Sequence, residues 1–254
     1  MDIETAVSAG IMQIEFNRPE KKNAITSAMY QALADSLTSA QSNPDVRVVV
    51  LCGKPEVFTA GNDLDDFLNQ PPQSTKSPVF QFLEAISHAE KPLIAAVCGA
   101  AVGVGTTLLL HCDLVYAGEN ARFRLPFASL GLVPEAASSL LLPQLVGYQK
   151  AAEYLLLGEV FDAHEAYSVG LVNRVLPPAE VLEFARSQAA KLVGQPAAAL
   201  RATKRLMRRA KTRSIEEQMA TESEEFRARL DSPEAREAFT AFFERRKPDF
   251  KRFA

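Results

Sequence analysis

The chain has no tryptophan, and it has only three cysteines and three histidines among its 254 residues. The cysteines, Cys52, Cys98 and Cys112, are scattered and form no C-x-x-C pair. This spacing excludes a disulfide framework and a cysteine-based zinc site, and it is typical of reduced thiols in a cytosolic protein. The histidines have no ligand-forming neighbours at metal-site spacing, so no metal site is predicted. His111 is expected to pack in the core.

The sequence also lacks an unbroken long apolar run and a strong excess of either charge. The longest apolar stretch, 92–110, is interrupted by glycines and predicts a buried strand followed by a buried helix, not a membrane span. The net charge of −3 provides no positive field for nucleic acid or anionic membranes. Residues 1–10 do not resemble a secretory signal. We therefore expect no nucleic-acid partner, no membrane attachment and a cytoplasmic location.

Strand and helix patterns alternate through the first half of the chain. Residues 11–16 alternate apolar and polar side chains, whereas 47–52 form a β-branched run typical of a strand covered on both faces. Further strands are predicted at 92–97 and 113–117, and Thr26 is expected to cap a helix that ends near Gln41. The pattern predicts a layered α/β fold, and length alone leaves one domain or two open.

The last third is predominantly helical. The helices are predicted at 179–193, 196–211, 214–230 and 233–244. The last two are charged and amphipathic, which is typical of helices that cover a core or pack on a neighbouring subunit. The basic residues of 201–213 are interpreted as a solvated helix face. The Pro/Gln/Ser-rich residues 70–78 predict a mobile surface loop.

Two glycine-containing segments, 60–63 and 99–106, each follow a predicted strand and lead into a helix. Backbone N–H groups at a helix start have no partner inside the helix, so two such segments could hold one oxyanion. Alternatively, the glycines of 99–105 only form a tight turn. Their spacing does not match the G-x-G-x-x-G dinucleotide motif. Asp63 is expected to cap the helix that follows it.

Several motifs occur in an order and spacing that identify a family resemblance. They are Asn17-Arg18-Pro19-Glu20-Lys21-Lys22-Asn23-Ala24, Phe58-Thr59-Ala60-Gly61-Asn62-Asp63-Leu64, the segment 92–105, Leu130-Gly131-Leu132-Val133-Pro134 and Gly170-Leu171-Val172. Over residues 11 to 250 the chain resembles the enoyl-CoA hydratase/isomerase (crotonase) superfamily. The resemblance implies an α/β crotonase (ClpP-like) spiral of ββα units with a helical C-terminal trimerisation region. It also implies an acyl-CoA substrate.

The resemblance assigns roles to individual residues. The oxyanion hole would be formed by the backbone N–H groups of Asn62 and Val104. The substrate-binding residues would be Lys21, Lys22, Ala60, Gly61, Asn62, Asp63, Leu64, Gly103 and Phe127. Lys21 and Lys22 would lie beside the pantetheine and phosphates of coenzyme A, although two solvated surface lysines are the alternative.

The reaction is predicted from how the chain departs from the family pattern. Hydratases of this family use two glutamates, and these positions hold Thr107 and Phe127 here. Neither side chain can act as an acid or base near neutral pH. Glu135, in Pro134-Glu135-Ala136-Ala137-Ser138-Ser139, matches the catalytic base of the Δ3,Δ2-enoyl-CoA isomerase branch. The alternative is an ordinary glutamate in the first turn of a helix.

These observations together predict a Δ3,Δ2-enoyl-CoA isomerase of fatty acid β-oxidation. Its ββα core would span 1–195 and its helical region 196–254. We expect a homotrimer or a dimer of trimers, with no cofactor apart from the coenzyme A of the substrate. The alternatives are another acyl-CoA enzyme of the family, hydrolase or hydratase-like, and a non-catalytic acyl-CoA-binding or scaffold protein. The family's C-terminal motif occurs at 245–250, and whether it closes over coenzyme A stays open.

Overall fold

The computed structural model describes residues 1–72, 74 and 76–253. The predicted loop 70–78 includes Gln73 and Thr75, which lie outside the described residues.

The apolar strands form a six-stranded sheet in the order β1-β2-β3-β5-β7-β10. Its members are β1 (Ile3–Ser8), β2 (Ile11–Phe16), β3 (Val48–Cys52), β5 (Leu93–Val97), β7 (Leu114–Gly118) and β10 (Arg174–Leu176). Only β1 and β2 pair antiparallel; the other pairs are parallel. Every residue of β3 and β5 is buried, which confirms the prediction of strands covered on both faces.

A second sheet has four short strands in the order β4-β6-β8-β9. They are β4 (Val57–Thr59), β6 (Ala100–Val102), β8 (Arg122–Arg124) and β9 (Phe161–Asp162). Each of the pairs β3/β4, β5/β6 and β7/β8 gives its first strand to the six-stranded sheet and its second strand to the four-stranded sheet. This repetition is the predicted spiral of ββα units. The prediction of a turn over the whole of 99–105 is wrong, because residues 100–102 form a strand that pairs with both β4 and β8. Whether the glycines themselves serve only turns and close packing stays a prediction.

Eleven α-helices surround the sheets in the described part of the chain. They are α1 (Ser27–Ser42), α2 (Leu64–Asn69), α3 (Pro78–Ser87), α4 (Val104–Thr107), α5 (Ser138–Val146), α6 (Tyr148–Ala152), α7 (Ala163–Ser168), α8 (Val181–Val193), α9 (Ala197–Arg208), α10 (Thr212–Leu230) and α11 (Pro233–Phe243). The predicted caps are confirmed, because Thr26 accepts from the N–H of Met29 and Asp63 from that of Asp66. No helix of the described chain has the length and apolar character needed to cross a membrane.

The C-terminal helices pack on the core rather than standing apart from it. Helix α8 covers one face of the six-stranded sheet, and Phe226 of α10 and Phe239 of α11 belong to the large hydrophobic cluster on its other side. A division of the chain at 195/196 stays a prediction. The solvated-face interpretation of 201–213 is wrong for Lys204, which is buried and paired with Asp113 at 2.7 Å.

Candidate active site

The two glycine-containing segments meet where β4 and β6 end. These strands are parallel neighbours, so their carboxyl ends lie at the same edge of the small sheet. Gly61 has a positive φ of 86°, and a Cβ there would lie 2.8 Å from the carbonyl oxygen of Val102. Only glycine allows this approach, which draws the two segments together.

Two backbone N–H groups at this junction have no acceptor within the described protein. They belong to Asn62, which follows Gly61, and to Val104, the first residue of α4. Gly103, before Val104, adopts φ 55° and ψ −118°, and a Cβ at this position would meet nothing within 4 Å. Here the glycine permits the backbone conformation and leaves the approach to the N–H groups open. Two unpaired donors at one edge can receive an oxyanion.

The segment around Asn23 fixes the position of these donors. The fully buried Asn23 side chain donates to the carbonyls of Val57 and Phe58 in β4, and the N–H of Ala60 donates to the carbonyl of Lys22. The Asn23 side chain therefore fixes the turn that contains Lys21 and Lys22 against β4, the strand that leads to the unpaired N–H of Asn62.

An ion pair joins the same segment to the start of α2. Arg18 donates to Asp63 at 2.7 Å. Burial raises the pKa of the Asp63 carboxyl, but the hydrogen bonds from Arg18 and from the N–H of Asp66 outweigh burial and hold this pKa below its usual value. Asp63 is thus a charged structural anchor and not a base in the site.

An open cleft of about 600 Å³ runs along this edge, and all the predicted site residues line it. They are Lys21, Lys22, Ala60, Gly61, Asn62, Asp63, Leu64, Gly103, Val104, Phe127 and Glu135. Residues that are distant in sequence are therefore brought to one surface. Their assigned roles stay predictions.

Glu135 is the buried carboxylate of this cleft. It is 7% exposed, and its Oε1 atom has no hydrogen-bond partner in the described chain. Burial, followed by the nearby charge of Glu222, raises the pKa of Glu135 to about 8. The alternative of an ordinary first-turn glutamate is wrong, because α5 begins only at Ser138.

The two positions of the hydratase glutamates carry no ionisable group in the structure either. Phe127 lies against the cleft, and Thr107 is completely buried with a hydroxyl that has no partner in the described chain. The other carboxylates that line the cleft are Asp63, held by Arg18, and the exposed Asp65. Glu135 is therefore the one buried base among the described residues of the cleft.

Several residues of the site were not predicted. Tyr30 of α1 donates to the side-chain oxygen of Asn62. Phe226 and Phe239 form part of the cleft wall. Arg246 and Pro248 also line the cleft, and they belong to the C-terminal motif whose closure over coenzyme A the sequence left open. A second, much smaller cavity adjoins Glu135 on its inner side, between Phe67, Leu83 and Phe226. The amphipathic spacing of α10 and α11 indicated only that these helices cover the core or pack on a neighbouring subunit, and it did not place their phenylalanines in the site.

Within the described residues, no cluster of three or more histidine, cysteine, aspartate or glutamate side chains could hold a metal ion. Cys52, Cys98 and Cys112 are free thiols; the first two are buried and Cys112 is partly buried.

Comparison with known proteins places this architecture among enzymes of acyl-CoA chemistry. The "2,3-dehydroadipyl-CoA hydratase" of Escherichia coli is 35% identical over 242 residues, which cover 95% of each chain. The "Enoyl-CoA delta isomerase 2" of Rattus norvegicus is 36% identical over 93% of this chain, which spans only 62% of that longer protein.

Solved structures of related proteins have the same fold as this chain. The enoyl-CoA hydratase/isomerase of Pseudoalteromonas atlantica superposes with a TM-score of 0.95 at 42% identity, covering 98% of this chain and all of the other. The OdaA protein of Pseudomonas aeruginosa gives a TM-score of 0.93 at 46% identity over 95% of this chain and 98% of its own. The sequence model described as "Enoyl-CoA hydratase/isomerase" matches residues 6–252. The chain is thus a crotonase-fold enzyme and belongs to the enoyl-CoA hydratase/isomerase family.

Proposed function

We propose that this enzyme is a Δ3,Δ2-enoyl-CoA isomerase, which moves a double bond of an acyl-CoA thioester from C3–C4 to C2–C3. The observation that carries the proposal is the placement of a single buried carboxylate, Glu135, in the same cleft as two unpaired backbone donors. The positions of Thr107 and Phe127 supply no second carboxylate to activate water. One base and an oxyanion site are what a double-bond shift requires.

The reaction begins at the N–H groups of Asn62 and Val104, which bind the thioester oxygen. Their hydrogen bonds stabilise the negative charge that develops there, and this makes the C2 proton more acidic. Glu135 removes that proton, and the electron pair of the C2–H bond enters a dienolate that spans the oxygen and C2 to C4. The same carboxyl returns the proton to C4, and the electrons collapse into a C2–C3 double bond.

The environment of Glu135 suits a base that both takes and returns a proton. A carboxylate with a pKa near 8 is a much stronger base than an exposed glutamate, yet it releases the proton again close to neutral pH. The wall formed by Phe127, Leu130 and Leu132 keeps the surroundings apolar. No water needs to be positioned, because hydrogen is only relocated within the substrate.

The same cleft supports a coenzyme A thioester as the substrate. Lys21 and Lys22 are exposed at its mouth, where they can meet phosphate groups. We extend the proposal to a role in fatty acid β-oxidation in the cytoplasm, with no cofactor.

We also propose a homotrimer or a dimer of trimers. Large apolar side chains stay exposed in the single chain, including Leu156, Leu157, Leu206 and Met207, and a subunit interface would cover such groups.

The reaction type is tested by offering the purified protein a 3-enoyl-CoA and, separately, a 2-enoyl-CoA, with products identified by NMR. The proposal predicts conversion of the 3-enoyl substrate to the 2-enoyl thioester and no 3-hydroxyacyl-CoA from either. Rapid hydration of the 2-enoyl substrate would establish a hydratase instead. Release of free coenzyme A would indicate a hydrolase, and tight binding without turnover would indicate a binding protein.

A further inference from the structure

A second buried carboxylate, Glu222 of α10, lies directly behind the residues that carry Glu135. It is 5% exposed and lines the small inner cavity together with Glu135. One of its oxygens accepts from the N–H of Ala137 at 2.6 Å. The other accepts from the N–H of Ser139 at 3.0 Å and from the Ser139 hydroxyl. With both oxygens occupied by donors, Glu222 is not free to transfer a proton to a substrate.

The residues that Glu222 holds form an unusual turn. Ala136 and Ala137 follow Glu135 with φ angles of 61° and 54°, both in the left-handed region. That conformation is unfavourable for a residue with a Cβ, and neither position is glycine. The turn therefore needs contacts that stabilise it, and its conformation determines where the preceding glutamate points.

Two side chains supply these contacts from opposite sides of the turn. Glu222 accepts from the N–H of Ala137, and His111 bonds through Nε2 to the carbonyl of Ala136 at 2.8 Å. Burial lowers the pKa of His111 to about 4, so the imidazole is neutral at physiological pH. A carbonyl only accepts hydrogen bonds, so the His111 proton must lie on Nε2.

The charge of Glu222 acts on Glu135 as well. Burial holds the pKa of Glu222 above its ordinary value, although the hydrogen bonds from Ser139 and Ala137 partly oppose this. A negative charge on Glu222 disfavours a second negative charge on Glu135. Tyr30 and the neutral His111 also face this region, and Arg208, Lys204 and His88 act on His111 from its other side. The titratable groups of the cleft beside Glu135 are Lys21, Lys22, Asp63, Asp65, Arg124 and Arg246.

We propose that Glu222 is a positioning residue, which holds the Ala136–Ala137 turn and thereby directs the Glu135 carboxyl into the cleft. The inference rests on the proposed function for its link to turnover, but the contacts that carry it are independent of the reaction. Glutamine at position 222 has one acceptor oxygen in place of two, and its NH₂ group would face a backbone donor.

The test compares Glu222→Gln with the wild type and with Glu224→Gln, which changes the charge of an exposed residue on the same helix. Above about pH 9, where Glu135 is ionised in every protein, we expect kcat for the 3-enoyl-CoA to fall about 10- to 100-fold in Glu222→Gln. KM should change less than about twofold, because Glu222 does not touch the cleft surface that binds coenzyme A. The acidic limb of the kcat/KM profile should move to lower pH. Glu224→Gln should leave kcat, KM and the acidic limb of the kcat/KM profile unchanged.

A measurement without turnover separates this inference from the proposed reaction. The infrared C=O band of protonated Glu135, assigned by its loss in Glu135→Gln, is titrated in the wild type and in Glu222→Gln. A lower titration midpoint in Glu222→Gln supports the placement of the Glu222 charge beside Glu135 even if the protein turns over no 3-enoyl-CoA. Wild-type kcat in Glu222→Gln above about pH 9 would overturn the positioning role, whatever the midpoint.

If Glu222→Gln does not fold, the same titration is measured in Ser139→Ala instead. This variant removes the hydroxyl donor to Glu222 and keeps the Glu222 carboxyl and its hydrogen bonds from the N–H groups of residues 137 and 139. We expect a smaller shift of the Glu135 midpoint in the same direction, since Glu222 is then more readily protonated. A midpoint identical to that of the wild type would contradict the inference.

Discussion

Replacing Glu135 with glutamine is expected to stabilise the fold, and to do so more strongly as the pH rises. The pKa of this carboxyl is raised from 4.5 to about 8 by burial and by Glu222. Between these values the unfolded chain has released a proton that the folded protein retains, so the stability of the wild type falls as the pH rises through this window. Glutamine binds no proton and lacks this dependence.

The magnitude follows from the same two pKa values. A difference of 8 − 4.5 = 3.5 units, at about 1.4 kcal/mol per unit, corresponds to roughly 5 kcal/mol when fully expressed. About 1 kcal/mol of this is already present near pH 5, so the stability advantage of Glu135→Gln should grow by roughly 4 kcal/mol between about pH 5 and pH 9.

Urea unfolding at several pH values and a fixed protein concentration measures this change. Glu224→Gln is the matched control, because it removes the charge of an exposed glutamate and should follow the wild type. The reasoning is that the folded protein disfavours the ionised form of Glu135. It would be refuted if the stability difference between Glu135→Gln and the wild type stayed constant over this pH range or became smaller as the pH rises.

Three further substitutions test other parts of the site and fold. Gly103→Ala should lower the free energy of unfolding by about 1–3 kcal/mol, because alanine disfavours the backbone conformation of this residue. It should also reduce kcat, because the N–H of Val104 is displaced. Urea unfolding measures the first effect and a turnover assay the second. Asp113→Asn should cost about 3 kcal/mol in the same unfolding assay, since it leaves Lys204 buried and unpaired. Asn23→Ala should cost about 3 kcal/mol, because two carbonyls of β4 lose their donors, whereas a loss below about 0.5 kcal/mol would contradict its anchoring role.

Local sequence signals predicted the long elements of the fold. The β-branched run 47–52 and the alternation of 11–16 correspond to β3 and β2, and the capping side chains of Thr26 and Asp63 mark the starts of α1 and α2. Such signals depend on a few neighbouring residues, so they are readable without the tertiary structure.

The second sheet could not be predicted in the same way. Its strands β4, β6 and β8 have three residues each, too few to display an alternation. Ala100–Val102 forms a strand only because two other strands lie beside it, and nothing within the glycine-rich segment itself specifies this pairing.

The residues of the candidate site also divide into those that local motifs predicted and those that only the tertiary structure places there. Its glycine-containing segments and Glu135 were found from motifs, but Glu222 and His111 were not, since both reach the turn after Glu135 from elements distant in sequence. Ala136 and Ala137 also carry no signal for left-handed backbone, which glycine or asparagine would have given. The sequence therefore left open the alternative of a first-turn glutamate, although the helix in fact begins at Ser138.

The central claim is that Glu135 is the base that moves the double bond. The most direct test measures kcat for isomerisation of a 3-enoyl-CoA by the wild type and by Glu135→Gln, with binding of the product thioester measured for both proteins. The account predicts a loss of about 10³-fold in kcat with binding nearly unchanged. Glu135→Gln turnover within about tenfold of the wild type would contradict it, because removal of a general base costs at least about 10².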